Sequence, residues 1–307
     1  MRKIFVSDYC NKGVKGHLNY EFVDVAVNDD NMLFIDPMLL ENARDEWGQE
    51  ANAVVQGFFD CFYKAYKEKD IVKKMELLSH ASEQNATRLG YGRGDNGKGN
   101  TASGLLKVFS PLEQLVFEIS TMKKAEDLPV LIPEFAEDGL SDLLTNILHD
   151  QLNKFTHLQM KKYGMESNLV LPFWTWDEVG KCWKKVERPS YCIDGQELLL
   201  VPKHIVRKKY LFSTSQYFNR IILDRIRKAG GYMDDEKPIP KKEILKAKRF
   251  SGEHWQYDEA VSYTKENNDA LDEYHEKLPL FYTENGHPME DEELDELIYG
   301  YLISKTA

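Results

Sequence analysis

The chain has 307 residues, of which 42% are apolar and 30% are charged, and its formal net charge is −11. This composition supports a sizeable folded core and excludes a disordered chain, and no apolar run approaches the roughly 20 residues of a membrane span. The N-terminal sequence lacks the apolar stretch of a secretory signal, and no two of the four cysteines are spaced as a metal or redox pair. We therefore expect a cytoplasmic protein with reduced thiols and no membrane contact.

The sequence pattern of the first eighty residues predicts a β-hairpin followed by helices. Residues 21–27 and 32–36 are rich in β-forming side chains and flank a polar turn, which favours a β-hairpin that ends at Pro37. From Met38 to about His80 the apolar residues recur at helical spacing. We expect this helical region to supply part of the core.

A glycine-rich segment follows, Gly90–Gly99, with the sequence GYGRGDNGKG. Glycine permits left-handed backbone angles and close approach of a ligand, and successive free N–H groups form a concavity suited to anions. A flexible surface connection without a ligand is an equally weighted alternative. The anion-binding alternative assigns phosphate contacts to Gly92, Arg93, Gly94, Gly97, Lys98 and Gly99.

The same segment fits the first seven positions of the P-loop pattern GxxxxGK. Gly99 occupies the eighth position, where a P-loop needs a Ser or Thr hydroxyl to bind Mg²⁺. The preceding residues 83–89 are polar, although a P-loop follows a buried strand. The pattern therefore does not predict a P-loop nucleoside triphosphatase.

The middle of the chain mixes helical and β patterns without a regular β-α-β order. Helical spacing covers 110–122, 139–163 and 203–228, and short β-rich runs cover 128–132, 169–176 and 196–201. This mixture is typical of an α+β fold, and we predict a small, mostly antiparallel sheet packed with long helices. A Lys/Pro-rich linker suggests a main domain at residues 1–236 and a linker with an acidic helical C-terminal section at 237–307.

Charge is distributed unevenly along the last third of the chain. Residues 203–249 contain fourteen Lys and Arg against five Asp and Glu, whereas residues 251–307 contain fifteen Asp and Glu against three Lys. The basic block either binds a polyanion or pairs with the acidic residues that follow it, and we weigh these alternatives evenly. The first alternative assigns nucleic-acid contacts to Arg207, Lys208, Lys209, Arg220, Arg225, Arg227 and Lys228.

Four carboxylates are candidate Mg²⁺ ligands, because hard cations prefer carboxylate oxygens: Asp36, Glu134, Asp138 and Asp142. Three of them precede or open a predicted helix, where acidic residues also serve as caps without any metal. If the protein is an enzyme, we expect a Mg²⁺-dependent hydrolase acting on phosphodiesters, such as a nuclease. Lys98 or Lys203 would then stabilise the developing negative charge.

Two functional interpretations follow from these patterns. The first is a protein that binds a phosphate-bearing ligand, with nucleic acid as the favoured class. The second is a non-catalytic adaptor or inhibitor whose acidic helices, within residues 251–307, bind a protein partner. Leu294, Leu297, Ile298 and Leu302 recur at helical spacing there and suit either a core or an interface.

Overall fold

The computed structural model describes residues 2–10, 13–29, 31–91, 101–133, 135–229, 233–234, 237–238, 240–246 and 254–300. Helices predominate within these ranges, which agrees with the predicted α+β class. The described α-helices are α1 (Pro37–Glu41), α2 (Glu46–Lys67), α3 (Ile71–Leu78), α4 (Ala102–Val108), α5 (Leu112–Glu118), α6 (Asp127–Leu131), α7 (Glu137–Ile147), α8 (His149–Lys162), α9 (Thr214–Tyr217), α10 (Leu223–Ala229), α11 (Lys241–Leu245), α12 (Trp255–Glu266), α13 (Asp269–Asn285) and α14 (Asp291–Tyr299).

The strands are few and pair in antiparallel orientation, as predicted. The three longest form one sheet in the order β2-β3-β4, and the other four form two-stranded pairs, β1 with β5 and β6 with β7. The strands are β1 (Phe34–Ile35), β2 (Leu169–Asp177), β3 (Cys182–Ile193), β4 (Gln196–Leu198), β5 (Val206–Arg207), β6 (Met233–Asp234) and β7 (Lys237–Pro238).

Helix α2 carries much of the aromatic core. Asp45 caps its N-terminus by accepting a hydrogen bond from the backbone N–H of Gly48 at 3.0 Å. Aromatic residues recur along its buried face, and the ring of Phe58 lies edge-on to Trp176 of β2 with centroids 5.1 Å apart. The predicted helical spacing of this region is therefore confirmed, and it places α2 against the three-stranded sheet.

The predicted hairpin at residues 21–36 is wrong. β1 pairs with β5 and not with residues 21–27. The side chain of Asn31 accounts for the difference, because its Oδ1 accepts from the Ala26 N–H and its Nδ2 donates to the Ala26 carbonyl, both at 3.0 Å. One side-chain amide thus takes both backbone groups of a residue that a facing strand would have paired.

The predicted strand at residues 128–132 is also wrong, because most of these residues form helix α6. The Asp127 carboxylate accepts hydrogen bonds from the backbone N–H groups of Lys123 and Lys124, at 2.8 and 2.9 Å. These bonds fix the turn that leads into the helix. The apolar residues therefore enter the core from a helix and not from a strand.

The predicted long helix at residues 139–163 is two helices, α7 and α8, that meet at Leu148. Thr175 of β2 lies at the junction. Its hydroxyl donates to the Ile147 carbonyl at 3.1 Å and accepts from the Asp150 N–H at 3.2 Å. A hydroxyl from a distant strand thus satisfies backbone groups at the junction of the two helices.

Helices α12, α13 and α14 confirm the predicted helical character of the C-terminal section. Buried hydrogen bonds join it to the N-terminal residues: Tyr282 donates to Asp36 and Tyr299 donates to Asp24, each at 2.6 Å. The ring of Tyr299 also lies edge-on to that of Phe5, with centroids 4.9 Å apart. The predicted domain boundary at residue 236 stays a prediction.

Two further findings concern the predictions made from composition. None of the described helices combines the length and the hydrophobicity that crossing a membrane requires. Each of the four cysteines has a free thiol.

Candidate functional site

A polar cavity of about 230 Å³ lies where the chain that leads into the glycine-rich segment meets helix α7. We call it the acidic cavity. Separate parts of the chain supply its walls, and the charged and amide side chains among them include Asp29, Glu83, Asn85, Arg88, Asp138 and Asp142.

Gly90, the first residue of the glycine-rich segment, lines the acidic cavity. The Gly90 N–H donates to the Asn31 carbonyl at 3.0 Å, and the Tyr91 N–H donates to Oδ1 of Asp138 at 3.3 Å. Gly90 has a φ of +119°, and a Cβ at this position would lie 2.6 Å from the same Asp138 oxygen. Only glycine fits both conditions, so the segment begins in direct contact with a predicted metal ligand.

Asp138 and Asp142 lie one turn apart on α7, so both carboxylates reach the same cavity. Burial, together with the negative charges of Asp138 and Glu83, raises the pKa of the Asp142 carboxyl to about 8. Burial also raises the pKa of Asp138, although its hydrogen bond from the Tyr91 N–H acts in the opposite direction. The cavity therefore concentrates negative charge and favours a proton or another cation.

Two asparagine side chains hold the residues before the glycine-rich segment in place. Asn146 of α7 donates to the Ser82 carbonyl at 2.6 Å, and Asn31 donates to the Arg88 carbonyl at 2.8 Å. Neither Glu83 nor Arg88 was predicted as a site residue, because the run that contains them looks like a polar connection. The polar residues that predominate between Glu83 and Arg88 were the only available signal in the sequence.

The structure brings together two of the four predicted Mg²⁺ ligands. Asp138 and Asp142 line the acidic cavity, Asp36 does not, and Glu134 lies outside the described residues. Among the side chains that the structure describes, no group of three or more His, Cys, Asp or Glu is arranged as a metal site.

Asp36 has a different environment from the cavity carboxylates. It caps helix α1, with Oδ1 accepting from the Met38 N–H at 2.9 Å and Oδ2 accepting from the Tyr282 hydroxyl at 2.6 Å. Complete burial raises the pKa of Asp36 to about 6. Both of its oxygens serve the fold, which is the capping alternative considered above.

The phosphate contacts predicted in the glycine-rich segment cannot be located. Gly92, Arg93, Gly94, Gly97, Lys98 and Gly99 lie outside the described residues, so these assignments stay predictions. The described chain resumes at Thr101, whose side chain caps α4 by accepting from the Gly104 N–H at 3.1 Å.

A family model matches residues 13–213, about two thirds of the chain. The chain belongs to the DUF8370 family. This family is described as a domain of unknown function. The DUF8370 region contains every residue that lines the acidic cavity and ends one residue before α9. No curated protein and no solved structure matches the chain.

Beyond the DUF8370 region, acidic side chains neutralise part of the predicted basic block. Arg225 of α10 contacts Glu273 at 2.5 Å and Asp269 at 2.9 Å, both on α13. Arg227 contacts Asp224 at 3.1 Å. The pairing alternative from the sequence accounts for Arg225, whereas the partner of Arg227 lies within the basic block itself.

Two other arginines of the block lie over aromatic rings of α13. The guanidinium of Arg207 is 5.6 Å from the ring centroid of Tyr282 and donates to the His287 carbonyl at 2.9 Å. The guanidinium of Arg220 is 4.3 Å from the ring centroid of Phe281. Arg207 therefore packs α13 against the DUF8370 region, and Arg220 packs α13 against the residues that follow this region.

The four remaining lysines of the block with a predicted role fall into two groups. Lys208, Lys209 and Lys228 are exposed. Lys203, predicted as a catalytic residue, donates its ammonium to Asp291 at 2.6 Å and to the His17 carbonyl at 3.0 Å. Lys203 thus joins α14 to the DUF8370 region and does not line the acidic cavity.

Proposed function

We propose that the acidic cavity binds a phosphate-bearing ligand together with Mg²⁺, and that nucleic acid is the ligand class. One observation carries the proposal: the start of the glycine-rich segment and two predicted metal ligands meet at a single cavity. The hydrogen bond from the Tyr91 N–H to Asp138 makes this contact direct.

The carboxylates suit a divalent cation. Mg²⁺ commonly takes one or two protein carboxylates and completes its shell with water and substrate phosphate. Asp138 and Asp142 supply two carboxylates one helical turn apart, so a larger protein cage is not required. A bound cation would also offset the repulsion that contributes to the raised pKa of Asp142.

Phosphate alone would be repelled by these carboxylates, so the cation has to bind with it. Arg88 lines the same cavity, and its planar guanidinium matches phosphate oxygens. A Mg²⁺ ion here would neutralise charge on a phosphodiester and support its hydrolysis, so a nuclease is the enzymatic form of the proposal. Lys203 has no part in it, because its ammonium is bonded to Asp291.

The adaptor alternative has less support. Glu273 and Asp291 of the acidic helices pair with Arg225 and Lys203 of the same chain. Acidic side chains that hold the fold together are less available to a separate basic protein. Within residues 251–307, only acidic side chains that lack such contacts can present a surface to a partner.

The proposal is tested by the binding of fluorescently labelled single-stranded DNA and RNA to the whole protein, with Mg²⁺ or with EDTA. We expect Mg²⁺ to strengthen binding and added salt to weaken it, since phosphate contacts release counterions. The double variant Asp138→Asn, Asp142→Asn should lose the Mg²⁺ dependence. Glu243→Gln, an exposed carboxylate on α11, is the control and should behave as the wild type.

Two results would contradict the proposal. One is affinity that is equal in Mg²⁺ and EDTA, and the other is Mg²⁺ dependence that survives the double variant. Melting temperatures of all variants show whether a loss of binding reflects unfolding. Incubation of the protein with the same oligonucleotides and Mg²⁺, followed by measurement of oligonucleotide length, shows whether binding is accompanied by cleavage.

A further inference from the structure

A second cavity, of about 210 Å³, lies beside helix α2 and the residues that lead into α6. We call it the Glu126 cavity. Its walls combine apolar side chains, Val55 and Phe59, with the side-chain amides of Asn52 and Gln56. A cavity of about 150 Å³ holds benzene, so this one has room for a small organic molecule.

The Glu126 carboxylate lines this cavity and is 3% exposed. Among the described residues, the only backbone or side-chain donor to it is its own backbone N–H. Burial raises the pKa of Glu126 to about 7, with Lys124 acting in the opposite direction. A desolvated carboxylate that no side chain hydrogen-bonds is costly, and Glu126 lines a space that a ligand can enter.

The cations around the cavity hydrogen-bond to carboxylates other than Glu126, although the charge of Lys124 also acts on Glu126. Lys124 lies 2.8 Å from both carboxylate oxygens of Glu41. Nε2 of His275, on α13, lies 2.6 Å from Oδ1 of Asp127. Each of these cations therefore hydrogen-bonds to a carboxylate other than Glu126, and three carboxylates against two cations leave the cluster with an excess negative charge even with His275 protonated.

The residues at the mouth of the cavity do not supply the missing charge. Lys123 points its ammonium toward Asp272, at 3.5 Å. Asp60 also lines the cavity and adds a further carboxylate. A ligand that carries one positive charge would therefore balance the cluster.

We propose that the Glu126 cavity binds a ligand through a guanidinium group, with the Glu126 carboxylate as its counter-ion. A guanidinium presents parallel N–H donors that match the two oxygens of a carboxylate. The amide oxygens of Asn52 and Gln56 accept further N–H groups, and Val55 and Phe59 contact the alkyl part. The acidic cavity plays no role in this inference, so either proposal can fail alone.

The test uses calorimetric titration of the whole protein with methylguanidinium. Two comparison compounds isolate the two features that the cavity recognises. N-methylurea has a similar shape and N–H donors but no charge, whereas tetramethylammonium has the charge but no N–H donors. We expect methylguanidinium to bind at least tenfold more tightly than either compound.

The pH dependence supplies a second readout. Because the ionised carboxylate binds the cation, affinity at pH 6 should be about tenfold weaker than at pH 8. Glu126→Gln should lose both the affinity and its pH dependence. Glu243→Gln, on the exposed face of α11, should retain both.

A second variant covers the case in which Glu126→Gln does not fold. Asn52 is half-buried on α2, and Asn52→Trp places a large ring across the cavity without touching the buried charge. This variant should fold and lose methylguanidinium binding. The proposal is overturned if N-methylurea binds as tightly as methylguanidinium, or if folded Glu126→Gln or Asn52→Trp binds it as the wild type does.

Discussion

Two regions of the molecule differ in how their charges are arranged. One is the acidic cavity, and the other is the contact between the basic block and the C-terminal helices. At the C-terminal contact, Arg225 and Lys203 each meet a carboxylate, at 2.5 and 2.6 Å. In the acidic cavity, Asp142 faces other carboxylates, and its pKa rises to about 8 because of burial and their charges. Opposite charges that pair within the chain stabilise a fold, whereas like charges gathered in a cavity mark a candidate site for an external cation.

The comparison also shows that the most pronounced charge pattern in the sequence does not mark the candidate site. The basic and acidic blocks form the most pronounced charge pattern in the chain, yet several of their members hold the C-terminal helices in place. The acidic cavity takes its charged residues from short runs that are far apart in sequence.

The largest effect is expected where a buried carboxylate has partners. Asp36→Ala leaves the Tyr282 hydroxyl and the Met38 N–H without an acceptor inside the core, and should lower the free energy of unfolding by about 3 kcal/mol. Urea denaturation measures the change. Tyr282→Phe removes the hydroxyl that donates to Asp36 and accepts from the Leu211 N–H at 3.3 Å, but it keeps the helix cap at Met38, and should cost about 1–2 kcal/mol. Equal losses in the two variants would contradict this account of Asp36.

In the acidic cavity, by contrast, removal of a buried carboxylate is expected to raise the free energy of unfolding. The pKa of Asp142 is raised from 3.8 to about 8, so its ionised form is disfavoured in the folded protein. Without divalent cations, wild-type stability should therefore fall as the pH rises from about 4 to about 8. Asp142→Asn should remove part of that fall and stabilise the protein by about 1–3 kcal/mol at pH 9.

Thermal and urea denaturation at pH 4 and pH 9 check this prediction. At pH 4 the variant and the wild type should differ little, because Asp142 is then largely protonated in the folded state. A variant that is less stable than the wild type at pH 9 would show that the hydrogen bond from the Gln84 N–H outweighs burial and charge repulsion at Asp142. The comparison between the two regions would then lose its basis.

The smallest effect is expected at the C-terminal contact. Arg225→Ala should cost about 1 kcal/mol, because its ion pairs are partly exposed to solvent. Oligonucleotide affinity should not change, since this guanidinium already has two carboxylate partners. Lys161→Ala, at an exposed position near the end of α8 and outside the basic block, is the control for loss of one positive charge. A drop in affinity specific to Arg225→Ala would return this arginine to the nucleic-acid surface.

Local patterns predicted much of the helical structure. Helix α2 was predictable because its apolar spacing, together with a cap at Asp45, lies within one stretch of sequence. The hairpin prediction failed because the side chain of Asn31 replaces a strand, which no β-propensity records. Helical regions are thus predicted well where neighbours in sequence decide the conformation.

The candidate site was predictable only in part. Asp138 and Asp142 share a helix face, so their proximity follows from their spacing. Asp36 looks equivalent in sequence, but its hydroxyl donor Tyr282 is 246 residues away along the chain. Glu83 reaches the cavity through the bond between Asn146 and the Ser82 carbonyl, a contact that has no local signal.

The edge-on contact between Phe5 and Tyr299 brings the first and last described parts of the chain side by side. A short peptide between Phe5 and Tyr299 could therefore close the described part of the chain into a ring with little disturbance. New ends could be opened at the exposed turn around Val179 and Gly180, which joins β2 to β3. The order of the described elements along the chain is thus one of several that this arrangement in space permits.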